Sequence, residues 1–63
     1  MDSELRTPLE ELRWNWGEAY LIWHQEYVWV AQRRDNRATL RARSPEGLRD
    51  LIIADYTARP VPR

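Results

Sequence analysis

Sixty-three residues and 7.6 kDa leave room for one domain. Ten arginines balance ten acids to a formal charge of +0, and cysteine is absent, which excludes a disulfide framework, a thiol nucleophile and a cysteine zinc site. Hydrophobic residues make up 43% of the chain, enough for a core, yet the longest apolar runs, 19–23 and 27–31, are five residues each, far short of the ~20 of a membrane span.

Every basic residue is arginine, which stacks on aromatic rings and makes bidentate pairs as lysine does not. Four Trp and three Tyr let a short chain bury useful area. A core of this size alone rarely supplies more than ~3–5 kcal/mol, and oligomerisation is a common remedy where staples are missing. The neutral total also hides a polarity. Residues 1–26 hold six acids against Arg6 and Arg13, a net −4, whereas residues 27–43 hold five arginines against Asp35 alone, a net +4.

In chain order, residues 1–6 read as a loose N-terminus. Thr7 as cap, Pro8 at the first helical position and Glu10 as the reciprocal acid start a helix. Leu9, Leu12 and Trp16 follow helical spacing and Gly17 is a stop, so a short helix over roughly residues 8–16 is expected. Residues 19–24 and 27–34, rich in β-branched and aromatic side chains, predict two strands with a turn at Gln25 and Glu26. Asp35 and Asn36 tolerate left-handed geometry and predict a second turn, followed by a short strand over 38–43. Ser44 and Pro45 repeat the cap-plus-proline start of a helix running to about Ala58, with Leu48, Leu51, Ile52 and Tyr56 on one stripe. Residues 59–63, with prolines at 60 and 62, cannot stay helical and read as an extended Pro/Arg tail. The fold class is α+β, in αβββα order, in a single domain.

Both faces of such a sheet are apolar, so alternation alone does not choose the buried one. A two-residue turn at 25–26 pairs Ile22 with Trp29 and Tyr20 with Ala31. A two-residue turn at 35–36 pairs Ala31 with Leu40 and Trp29 with Ala42. This puts Ile22, Trp29, Ala31, Leu40 and Ala42 on the core face. It leaves Leu21, Trp23, Val28 and Val30 on the other, bordered by Arg34, Arg41 and Arg43. Such a patch either marks a partner surface or is covered by the first helix.

The catalytic inventory is poor. His24 is the single histidine and Ser44 is committed to capping. Asp50 and Asp55, five apart, do not share a helix face, and Asp55 can at best pair with Arg59 at i,i+4. Gly17 and Gly47 stand alone, so no phosphate-cradling loop exists. No enzyme activity, cofactor, metal or small-molecule substrate is expected. The αβββα order is that of double-stranded RNA-binding domains, but the last helix here opens on acidic Pro45-Glu46-Gly47-Leu48 where that family grips phosphate. Trp and Tyr on a sheet, with arginines beside them, could instead stack single-stranded bases.

From Trp14 onward the chain resembles short uncharacterised proteins of high-GC actinobacteria. The likeness lies in Trp14-Asn15-Trp16-Gly17, Trp29-Val30-Ala31-Gln32-Arg33-Arg34-Asp35, Ser44-Pro45-Glu46, Leu48-Arg49, Ala54-Asp55-Tyr56 and the closing Arg59-Pro60-Val61-Pro62-Arg63. That group has no assigned activity, so the resemblance implies source and fold. The closing Arg59-Pro60 is also similar to the end of MbtH-like proteins, whose Ser-Leu-Trp-Pro signature is absent here. The expectation is a small cytoplasmic protein-interaction or regulatory module, self-associating as a homodimer. Its partner-binding residues would be Leu21, Trp23, Val28, Val30, Arg34, Arg41 and Arg43. The alternative is a nucleic-acid-binding regulator that uses the Arg-rich hairpin, and no membrane partner is expected.

Overall fold

The computed structural model describes the backbone of residues 3–62 and the side chains of residues 7–62. The chain forms α1 (Ser3–Trp16), β1 (Tyr20–Gln25), β2 (Val28–Arg33), β3 (Thr39–Ala42) and α2 (Pro45–Ala58). The strands make one antiparallel sheet in the order β1-β2-β3, so the fold is α+β as the patterning implies.

Helix α1 begins earlier than expected. Residues 3–6, expected to be loose, lie in it, and Thr7 and Pro8 stand inside rather than at its start. The proline φ suits a helix, and the missing N–H removes one bond from the ladder. Met1 and Asp2 lie outside the described residues. Gly17 ends the helix for a steric reason. Its N–H donates to the Arg13 carbonyl at 2.8 Å, and a Cβ there would stand 2.2 Å from that oxygen.

The first turn sits one residue beyond its expected place. Gln25 faces Val28, so Glu26 and Tyr27 form the turn. Glu26 takes φ 54, the left-handed region that a primed turn demands and that favours Gly or Asn. The ladder therefore pairs Ile22 with Ala31 and Tyr20 with Arg33, not with Trp29 and Ala31. A one-residue move of the turn shifts the pairing by two and keeps every side chain on its face. The second register is as expected, with Trp29 facing Ala42 and Ala31 facing Leu40. Its loop is wider, because the Arg33 N–H bonds the Ala38 carbonyl and the Arg37 N–H bonds the Arg33 carbonyl. Arg37, at φ 65, takes the left-handed position rather than Asp35 or Asn36.

Helix α2 matches its sequence signals from cap to end. Ser44 accepts a hydrogen bond from the Gly47 N–H at 3.0 Å, and Pro45 opens the helix. Gly47, disfavoured in a helix by propensity, sits where a Cβ would meet Ser44 Oγ at 3.0 Å and Ala42 Cβ at 3.4 Å. Close approach of α2 to the end of β3 therefore selects it. Leu48 and Ile52 are buried, whereas Leu51, expected on the buried stripe, is 41% exposed. Four apolar positions cannot all face the sheet when the contact stripe is narrow.

Both helices cover the same sheet face. Leu9, Leu12 and Trp16 of α1 and Leu48, Ile52 and Tyr56 of α2 pack with Ile22, Trp29, Ala31, Leu40 and Ala42. Trp16 meets the rings of Tyr20 and Tyr56 edge-on, while Trp14 is exposed. After Ala58 the chain leaves the helix as expected, but it does not trail away, because Val61 is 3% exposed and joins the core. Arg63 lies outside the described residues.

Two consequences are measurable by urea denaturation. Trp29→Ala is expected to remove ~3–5 kcal/mol as a core truncation, while Trp23→Ala leaves protomer stability within about 1 kcal/mol. Arg37→Gly is expected to stabilise by about 0.5 kcal/mol, because relief of the left-handed φ exceeds the added chain entropy.

Candidate functional site

With both helices on one face, the other face of the sheet is open. Cross-strand pairing lays it out in rows: Trp23, Val30 and Arg41 in one, Leu21, Gln32 and Thr39 in the next. Trp23, Val28, Val30 and Arg41 line a shared groove of about 570 Å³ on this face, with Glu26 at one end. The alternative in which α1 covers this face does not occur, since Leu9, Leu12 and Trp16 belong to the core cluster.

The seven expected partner-binding residues are not all gathered here. Val30, expected in the exposed patch, is 5% exposed. It lies on the middle strand between two long side chains, Trp23 and Arg41, and forms the groove floor. Leu21 is 47% exposed on the same face but borders a separate hollow with Arg34. Arg34 turns to the α1 end, where its Nε donates to the Gly17 carbonyl at 2.9 Å. Arg43 lies past the end of β3 and lines a hollow at the opposite end with His24, Tyr27 and Trp29. The brought-together set is therefore Trp23, Val28, Val30 and Arg41, joined by Glu26.

The arginine-rich segment is less free than its sequence suggests. Arg33 is 3% exposed, on the core-side face opposite Tyr20. Its Nε and Nη2 donate to Asp35 Oδ1 and Oδ2 at 2.9 and 2.8 Å. Its Nη1 donates to Asp55 Oδ2 at 2.7 Å and to the Arg59 carbonyl at 2.6 Å. The Tyr20 hydroxyl donates to the same Asp55 oxygen at 2.5 Å. Asp55 thus serves Arg33 and Tyr20 rather than an Arg59 side-chain pair expected from helical spacing. No buried side-chain N or O among the described residues lacks a partner. Sequence reasoning overlooked this network, although Arg33 shares the parity of Trp29 and Ala31. An arginine on the core face of a strand has to be paired.

The network sets proton affinities. Burial pushes the Asp55 carboxyl up, but the Tyr20 hydroxyl and the Arg33 guanidinium outweigh it and hold it below the ordinary range. Hydrogen bonds from Arg33 hold Asp35 down against burial. The hydrogen bonds that Arg33 donates to Asp35 and then to Asp55 keep the guanidinium charged. Burial, then the Asp55 carboxylate, drives the Tyr20 hydroxyl well above the ordinary tyrosine value. These groups are spent on each other and on folding, and none faces the groove.

Elsewhere the His24 ring packs at a tilt against Trp29 across the strands, with ring centroids 4.5 Å apart. Among the described residues no three His, Cys, Asp or Glu side chains cluster to hold a metal, and no helix is long and apolar enough to cross a membrane. No family model, curated protein or solved structure matches the chain.

The pH dependence follows with its sign. Asp35 and Asp55 are depressed in the folded state, so their stabilisation is complete above the unfolded value of ~3.9 and is lost as pH falls through the folded values. Tyr20 is raised, so its contribution is complete below ~10 and is lost as pH rises through the folded value. Urea midpoints are expected to fall below about pH 4 and above about pH 10. Ultraviolet titration is expected to show one of the three tyrosines resisting ionisation until the chain unfolds. Tyr20→Phe should remove that signature and cost about 1.5–3 kcal/mol at neutral pH, as loss of a hydrogen bond to a charged group.

Proposed function

We propose that this chain is a small non-catalytic interaction module that self-associates through its open sheet face. The observation that carries this is the groove of Trp23, Val28 and Val30, left uncovered although both helices of the described residues lie on the opposite face. Leu21 extends the apolar surface at 47% exposure. Apolar anchors ringed by polar side chains are the anatomy of a protein interface. Small size supports the same partner, since a second copy adds the buried area that a core this small lacks. No acid–base pair, metal cluster or phosphate cradle lines the groove among the described residues, and we take the module to be regulatory. A cytoplasmic setting suits a cysteine-free chain.

One observation favours a second function, single-stranded nucleic-acid binding. Tyr27 is 84% exposed at the groove's end, near Trp23 and Arg41, and aromatic rings with arginine can hold bases and phosphates. The charge available is reduced, because Arg33 is buried in its ion pairs and Arg34 is turned to Gly17.

Sedimentation equilibrium is expected to show a monomer–dimer equilibrium at micromolar concentration. Val28→Asp should raise the dissociation constant at least tenfold, since it places a charge in the apolar contact. A wild-type chain that stays monomeric at several hundred micromolar would sink the proposal. Any binding to single-stranded DNA or RNA is expected to be weak and to vanish between ~50 and 200 mM salt. Sub-micromolar binding at physiological salt that depends on Arg41 and Arg43 would put the second function first.

A further inference from the structure

The open face is lopsided across its strands. One lateral flank, formed by β1, carries Trp23, and the other, formed by β3, carries Arg41, while Glu26 of the β1–β2 turn stands at one end of the groove. Among the described residues, Glu26 and Arg41 are the two charged ones that line the groove. No described residue makes a hydrogen bond or ion pair with Arg41. Trp23, Val30 and Arg41 also form one straight cross-strand row, with the valine on the middle strand.

Two aligned sheets packed face to face about a two-fold axis between them have two simple choices. An axis across the strands lays β1 on the partner's β1 and β3 on the partner's β3. Placed through the Trp23–Val30–Arg41 row, it superposes like on like, with Arg41 against the partner's Arg41 and Trp23 against the partner's Trp23. An axis along the strands lays β1 on the partner's β3 while β2 meets β2. Each flank then meets its complement.

Resting on the self-association proposed above, we infer that the two copies dock about an axis along the strands, with each Trp23 ring lying on the other copy's Arg41. The arginine gains a ring face that attracts a cation, and each ring gains a partner that caps its outer surface. Val30 meets its own copy at the centre, where both are already shielded from water. In the neighbouring row, Gln32 meets Gln32, and an amide can donate to and accept from its own copy. Leu21 lies over the partner's Thr39.

The chain has no native cysteine, so single-cysteine variants report the axis without background. Leu21→Cys and Thr39→Cys full-length chains are mixed and treated with a bis-maleimide that spans roughly 10 Å, the separation of packed sheets. The expected result is a mixed Leu21→Cys/Thr39→Cys crosslink in excess of either self-crosslink. Arg41→Ala and Trp23→Ala should each weaken the dimer about five- to tenfold, and the double variant should be no weaker than the worse single one, because both remove the same contact. A dimer that instead crosslinks Leu21→Cys to Gln25→Cys, the pair brought together by the axis across the strands, would overturn the inferred axis and leave self-association standing. A monomer by sedimentation would overturn both. So would a monomer that retains a single-stranded oligonucleotide on Trp23 and Arg41.

Discussion

Arg33 is taken out of water at the end of β2, and a guanidinium can be buried there only if oxygen atoms meet its N–H groups. Four donor contacts do so, and they come from three places: Asp35 in the β2–β3 loop, Asp55 on α2, and the Arg59 carbonyl after α2. One side chain therefore fixes the loop, the helix and the segment beyond it against the sheet. Its cross-strand neighbour Tyr20 donates to the same Asp55 oxygen, which ties β1 to the cluster as well. Removing a partner would leave a buried charge unmatched, so the cluster acts as a unit rather than as independent bonds.

This constraint also accounts for the place of the first turn. No residue near 25–27 dictates a turn, because neither Gly nor Asn is present. A turn at Gln25 and Glu26 would have set Tyr20 beside Ala31. With the turn at Glu26 and Tyr27, Tyr20 stands opposite Arg33, and β1 continues into a bond from the Arg34 N–H to the Ala19 carbonyl. Glu26 accepts a left-handed φ in exchange. Tertiary contacts outweigh local turn preference here, which is the common result where turn residues are indifferent.

The sequence is most legible where signals are local and chemically specific. Ser44 and Pro45 mark the start of α2, and Pro60 and Pro62 forbid its continuation far past Ala58. The parity of Trp29, Ala31, Leu40 and Ala42 gives both the β2–β3 register and the core face. Legibility fails where a residue's role depends on partners distant in sequence. Arg33 reads as one more cation in a basic run, because Asp55 lies 22 positions away. Val61 reads as part of a tail, because nothing local says that the chain turns back into the core. Val30 reads as exposed, because alternation assigns a face but not the shadow cast by flanking side chains. The start of α1 is blurred by Thr7 and Pro8, a valid start signal that stands inside a longer helix.

The open face follows from a shortage of layers. Each helix has 14 residues, about 21 Å of length at 1.5 Å per residue. Three strands spaced ~4.8 Å apart make a narrow sheet, so two such helices cover one face, and the described residues hold no further element for the other. Parity fixed by Arg33 and Trp29 decides which face receives them. The remaining face still carries Leu21, Trp23, Val28 and Val30, and its middle valine is shielded only by side chains from the two edge strands. A half-covered sheet with apolar side chains on both faces is stable in proportion to what covers it. The Arg13 Nε, bonded to the Ile22 carbonyl at 2.9 Å, blunts the outer edge of β1 against strand addition. That edge is thereby made a poor template for strand pairing, which agrees with the proposed use of the face, where contact is made by side chains and can be specific.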